Sequence, residues 1–326
     1  MMKAHPLLAL LLLLLVCLAC LMFGLLTGSQ PLSLAQLHAV LTGQATPLEQ
    51  LLVLELRLPR LLTALAVGGL LAVAGVLMQL LLRNPLADPY ILGLSGGAAF
   101  CALLAMLAGW TLLWINLAAF GGALFSSLLV FGLAWLSGPM QPTRLLLTGI
   151  VLASGWGAGL SLLLSITPER ALPGMLYWLM GDLSYARQPS PLLLLLGSSL
   201  LILAPFSRAL NLLARGQQQA QVLGVAVRPL ETLLFISAAL ITATAVASVG
   251  SLGFIGLVVP HLMRLWIGSD HRWLLPASAL AGASLLMLAD TAARSLLAPQ
   301  QLPVGVMTAL IGVPVFLYLL HRQAKT

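Results

Sequence analysis

From Leu7 to Leu26 the chain runs through twenty residues without a charge, and runs of this kind recur to its end. Crossing the hydrocarbon core of a bilayer takes roughly 20 predominantly apolar residues in a helix. Lipid offers the backbone no hydrogen-bond partner, so each crossing must satisfy its own N–H and C=O groups, and a helix does so. Candidate spans fall at 7–26, 61–81, 91–109, 115–136, 145–165, 190–206, 230–250, 255–267, 273–294 and 304–320. The expected fold is an all-α polytopic membrane protein with about ten transmembrane helices in one bundle, some short or interrupted. Residues 1–326 are expected to form a single transmembrane domain.

Composition agrees. The 326 residues are 60% hydrophobic and carry 15 basic and 8 acidic side chains, too few to cover a soluble domain of this size. The first run is longer than a signal-peptide core, ends without an Ala-x-Ala pattern and is followed by similar runs, so it is expected to be retained. A net charge of +7 raises the question of nucleic acid, but the basic residues stand singly instead of forming a stripe, which points away from that partner. Cys17, Cys20 and Cys101 lie within apolar runs and read as small buried hydrophobes, not as a redox pair or metal site.

With the N-terminus inside, Lys3, Arg83, Arg144, Arg208, Arg215, Arg228, Arg264, Arg272, Arg322 and Lys325 fall on the cytoplasmic side. Arg57, Arg60, Arg170, Arg187 and Arg294 fall outside, and this excess of inner positive charge is what membrane insertion favours. Arg57 and Arg60, in "RLPR", thus face outward. Interfacial snorkelling accounts for them locally, and a binding role is the alternative. Segment 27–56 reads as an outer amphipathic connection whose Glu49 and Glu55 are placed to pair with these arginines. Asp290 and Arg294 stand four apart in the ninth span, where mutual neutralisation lowers the cost of insertion. The stretch 248–268 contains Pro260, which lacks a helical donor, so it is expected inside the bundle where protein can satisfy freed groups. Small-residue patterns at 67–75, 93–97 and 149–159 allow helices to approach closely, with a translocation surface as the alternative.

Residues 207–231 mix glycine breaks, apolar positions and the glutamines Gln217, Gln218, Gln219 and Gln221. Both an ordinary solvated loop and a docking surface for a cytoplasmic partner fit this composition. No phosphate-cradling Gly-rich motif, His-Glu-x-x-His or clustered carboxylate pair occurs in the sequence, and the five histidines are dispersed. No catalytic, cofactor or metal site is therefore expected. If ATP drives this protein, another chain must bind it.

The order of motifs resembles a family. "LRLPRLLTALAVGGLLAVAGVLMQLLLRNPLADPYILGLSGGA" at 56–98, "LLTGIVLASG" at 146–155, "MLYWLMGDLS" at 175–184, "QVLGV" at 221–225, the run 253–294 and "LPVGVMTALIGVPVFLYLL" at 302–320 are similar to permease subunits of binding-protein-dependent ABC importers. The branch is the iron-chelate and cobalamin class, the type II importers. The resemblance covers essentially the whole chain.

It implies a transport subunit of a bacterial inner membrane, working as two copies with two cytoplasmic ABC ATPase subunits, a periplasmic substrate-binding protein and a transported metal chelate. Arg57, Arg60 and Arg294 match arginines that receive glutamates of the binding protein. The region 207–229, with Leu213, Arg215, Gly216, Gln217, Gln218, Gln221, Leu223 and Gly224, matches the part that couples to the ATPase. Gln217 stands where relatives often carry an acid. The second span, with Gly75, Met78 and Gln79, and the fifth, with Ser154 and Gly157, are the candidates for the translocation pathway. "MLYWLMGDLS" lies nearest the cobalamin branch, which makes cobalamin the expected cargo, with ferric siderophores or haem as the alternative; an ion-coupled secondary transporter using Asp290 and the broken helices, and a membrane scaffold, are the readings of other classes.

Overall fold

A computed structural model describes residues 5–136, 141–184 and 188–323. Lys3, Arg187 and Lys325, assigned above to one side or the other, lie outside the described residues. Every regular element among them is helical. In chain order these are α1 (Pro6–Leu26), α2 (Leu34–Leu41), α3 (Pro47–Gln50), α4 (Leu58–Leu81), α5 (Leu94–Leu107), α6 (Leu112–Leu136), α7 (Pro142–Ile166), α8 (Leu172–Met180), α9 (Ser190–Leu203), α10 (Ser207–Leu213), α11 (Gln217–Val222), α12 (Val227–Val249), α13 (Ile255–Ile267), α14 (His271–Ser295) and α15 (Val304–Gln323).

Seven helical stretches among the described residues are long and apolar enough to cross a bilayer; α5, α13 and the apolar part of α15 are shorter. At about 1.5 Å per residue, the 14 residues of α5 rise only ~21 Å. The second span also begins earlier than its apolar run suggests. Ser33 and Thr46 each form a reciprocal capping box, with Gln36 and Glu49, and start α2 and α3. From Pro47 the chain then passes through a π-helical turn, Leu51–Arg57, directly into α4. The stretch read as a connection thus ends as the first turns of a helix running from Pro47 to Leu81.

α4 is the axis of the molecule. Its middle, residues 64–78, is apolar all round; the helix buries most of its residues and packs against α14, α12, α13, α9 and α1, as a helix apolar on every face must. Its closest neighbour is α14, and two glycines set that distance. A Cβ on Gly68 would lie 2.3 Å from the Gly282 carbonyl oxygen, and one on Gly282 would lie 2.4 Å from that of Gly68. Such close approach lets dispersion contacts hold helices that the hydrophobic effect does not drive together in lipid.

The chain breaks at 250–254, whereas α13 continues through Pro260. Pro260 is the sixth residue of α13, so the donor it lacks would have served Gly256 near the helix start. Protein groups answer the break itself: Leu252 N–H donates to the Tyr90 hydroxyl (3.1 Å), and Asp182 N–H to the Val249 carbonyl (2.8 Å). Ile255, Gly256, Val258, Val259 and His261 are buried, so this segment does lie inside the bundle.

Candidate functional site

The bundle presents two features of functional interest at opposite ends of α4. At the Arg57 end, three arginines converge. Arg60 Nε donates to Asp290 Oδ1 at 2.8 Å and Arg294 Nε to Asp290 Oδ2 at 3.0 Å, so one carboxylate bridges two cations. Asp290 is fully buried, while Arg57, Arg60 and Arg294 are 6%, 8% and 7% exposed. Arg60 Nη1 also reaches Gln301 Oε1 (2.9 Å) and Ser184 Oγ (3.3 Å). Arg57 donates to the carbonyls of Leu25 (2.6 Å) and Gln30, and Arg294 Nη2 to that of Gly24 (3.4 Å). The last turn of α1 thus rests on two guanidiniums, which favour a helix C-terminus both as donors and as cations.

The pairing of Asp290 with Arg294 follows its four-residue spacing. The arrival of Arg60, 230 positions away in sequence, does not. Glu49 accepts instead from Gln36 (2.8 Å) and from Thr46 N–H (2.9 Å), and Glu55 is exposed; neither forms an ion pair with these arginines. All three candidate docking arginines are therefore brought together, but with their nitrogens turned inward.

At the other end, α10 and α11 form a small helical hairpin between α9 and α12. Gly216 (φ +123°) and Gly224 (φ +82°) bound α11 in backbone conformations that L side chains rarely adopt. Leu213 and Ala220 are buried and anchor the unit, and Gln217 Nε2 donates to Glu231 of α12. Gln217 is thus committed within the subunit. Arg215, Gln218, Gln221, Leu223 and Gly224 face outward, and the tip is apolar: Val222 is 87% and Leu223 59% exposed. Nearby, Asp270 caps α14. Burial works upward on its carboxyl, but hydrogen bonds from the Asn211 amide and from Arg272 N–H and guanidinium hold it below the usual carboxylate range.

The pathway candidates divide. Gly75 and Met78 lie in the interior of the subunit, and a Cβ on Gly75 would lie 2.0 Å from the Gly256 carbonyl oxygen. Gln79 is buried too and donates to the Leu257 carbonyl (3.0 Å). Ser154 and Gly157 instead lie on the outer face of α7, a helix with few buried residues, and nothing within the subunit lies near a Cβ added at Gly157.

The chain as a whole is similar to known proteins. Residues 12–322 match the FecCD transport family. The hemin transport system permease protein of Yersinia pestis is 45% identical over 284 residues, which cover 83% of this chain and 84% of that one. The cobalamin import system permease protein of Halobacterium salinarum is 40% identical over 279 residues, 84% and 74% of the two chains. A solved structure described as a metal-chelate type ABC transporter in an inward-facing conformation superposes with a TM-score of 0.85 at 36% identity, over 96% of this chain and 98% of that one. The chain belongs to the FecCD transport family and is a multi-pass permease subunit of an ABC importer of the metal-chelate class, a transport protein and not an enzyme.

Proposed function

We propose that this permease carries an iron chelate of the haem or ferric-siderophore class inward. The observation that carries this reading is the 45% identity to a permease for hemin, against 40% for one for cobalamin over a similar share of the chain. This reverses the preference for cobalamin drawn from "MLYWLMGDLS", a segment of ten residues. The working unit is two copies of the chain, two cytoplasmic ABC ATPase subunits and an outer substrate-binding protein. In membrane, α5, α13 and α15 cross beside longer neighbours, which gives ten spans per copy.

The outer arginine cluster acts on the binding protein chiefly through its field. Three guanidiniums and one carboxylate leave a local charge of +2, and such a field steers an acidic partner and speeds encounter without requiring each arginine to be touched. The exposed apolar tip at Val222 and Leu223, with Arg215, Gly216, Gln218, Gln221 and Gly224 around it, supports coupling to the ATPase. The outer face of α7, with Ser154 and Gly157, is the surface best placed to meet the second copy and line the path between them. Gly75, Met78 and Gln79 support that path from within the subunit.

The test is ATP hydrolysis by the assembled permease and ATPase in the presence of the binding protein. Hemin-loaded or ferric-chelate-loaded binding protein should raise the rate above that with empty binding protein. A rise with cobalamin alone would return the assignment to the second reading.

A further inference from the structure

At the cytoplasmic end, α4, α10, α13 and the start of α14 enclose a cleft of about 830 Å3. Its wall carries Arg83, Arg215, Arg264 and Arg272 against one carboxylate, Asp270, which is already paired with Arg272 at 3.1 Å. Among the described residues no carboxylate lies within 4.0 Å of the guanidiniums of Arg83, Arg215 or Arg264. Arg264 is half-buried, where an uncompensated charge is costly.

Two buried side chains in the same wall leave acceptors unanswered. The Asn211 amide donates to Asp270 Oδ1 (2.8 Å), which turns its own oxygen toward His271: that oxygen accepts from His271 N–H (2.9 Å) and lies 2.7 Å from Nδ1. Nδ1 therefore carries the proton, and in the neutral ring Nε2 is a bare acceptor. Nε2 has no partner, and His271 is 2% exposed. Gln79, also 2% exposed, spends its amide N–H on the Leu257 carbonyl and leaves Oε1 without a partner.

Cations and unanswered acceptors in one cleft narrow the ligand. A metal ion would suit the acceptors but is repelled by the arginines. A hydroxyl-free anion suits the arginines but offers His271 and Gln79 no donor, and water leaves the positive charge standing. We propose that the cleft binds a hydroxyl-bearing phosphate, with its phosphate against Arg264, Arg83 and Arg215 and a hydroxyl donating to His271 Nε2 or Gln79 Oε1. Glycerol phosphate has this chemistry, whether as the headgroup of an anionic lipid or as a soluble ester. The site stands apart from the assignment of the transported cargo.

The experiment uses the full-length permease in uncharged detergent, with its thermal unfolding midpoint followed against ligand concentration. The probes are short-chain phosphatidylglycerol and glycerol 3-phosphate, with short-chain phosphatidylcholine and sulfate as controls. Saturable stabilisation by either probe supports the site: phosphatidylglycerol alone assigns it to the membrane, glycerol 3-phosphate alone to the cytoplasm. Arg264→Gln should weaken binding about tenfold or more, as loss of a charge-assisted hydrogen bond does. The exposed Arg83→Gln serves as a second variant should Arg264→Gln not fold, and should weaken binding in the same direction. No saturable binding of either probe, binding as tight for sulfate or phosphatidylcholine, or unchanged affinity in the variants would overturn the proposal.

Discussion

Asp290 is the residue on which most of the arginine cluster depends. It is fully buried between two guanidiniums, and removing one partner of such a cluster leaves uncompensated charge in a medium that solvates it poorly. Asp290→Asn should cost about 3–5 kcal/mol, read as a lowered unfolding midpoint of the purified permease; an unchanged midpoint would show that the arginines are solvated after all. Charge reversal at Arg60 is a poor probe of docking for the same reason, since it would place a second carboxylate beside the first. Gly68→Val should also destabilise, by about 1–3 kcal/mol, because its Cβ meets a backbone oxygen that cannot step aside. Half of the Asp290 network was legible in the sequence, since an i,i+4 pair is a local relation. Arg60 was not, because nothing in a single sequence marks which helix will lie beside Asp290.

At the scale of elements, local chemistry was read well where apolar length dominates and badly where it does not. The first span was expected at 7–26 and runs Pro6–Leu26. The second was expected from 61, yet its helix begins at Pro47, because Glu49, Gln50 and Glu55 made exposed first turns look like a connection. The π-helical turn that follows inserts an extra residue per turn, which shifts the helical face on which Arg57 and Arg60 stand. The α10–α11 hairpin was legible only as far as its glycine breaks, which fall at Gly216 and Gly224 on either side of α11, while its composition left a solvated loop and a docking surface both open. Its tip should contribute to ATPase attachment, so Val222→Asp combined with Leu223→Asp should lower co-purification of the ATPase with the permease while leaving the unfolding midpoint of the permease alone unchanged. Full recovery of the ATPase would place coupling elsewhere.

As a whole, the molecule is a bundle organised on α4 whose two ends carry different chemistry. The Arg57 end holds net positive charge in a buried cluster, and the α10–α11 end exposes a small apolar tip beside a basic cleft. The steering role of the outer cluster predicts that association with the binding protein slows as salt rises, by roughly tenfold or more between low and physiological ionic strength; a salt-independent rate measured by stopped flow would deny it. Substrate choice was the part least legible in the sequence, because the stretches that identify the family include those that pack helices, such as Gly68 and Gly282, whereas the proposed path lies on an outer face of α7 that no described residue of the same copy covers. The most direct measurement is uptake into sealed vesicles containing this permease with its ATPase and binding protein, comparing hemin, ferric chelates and cobalamin with and without ATP. ATP-dependent accumulation of hemin or a ferric chelate in preference to cobalamin is expected; accumulation of cobalamin alone, or of nothing in a complex that hydrolyses ATP, would contradict the proposed function.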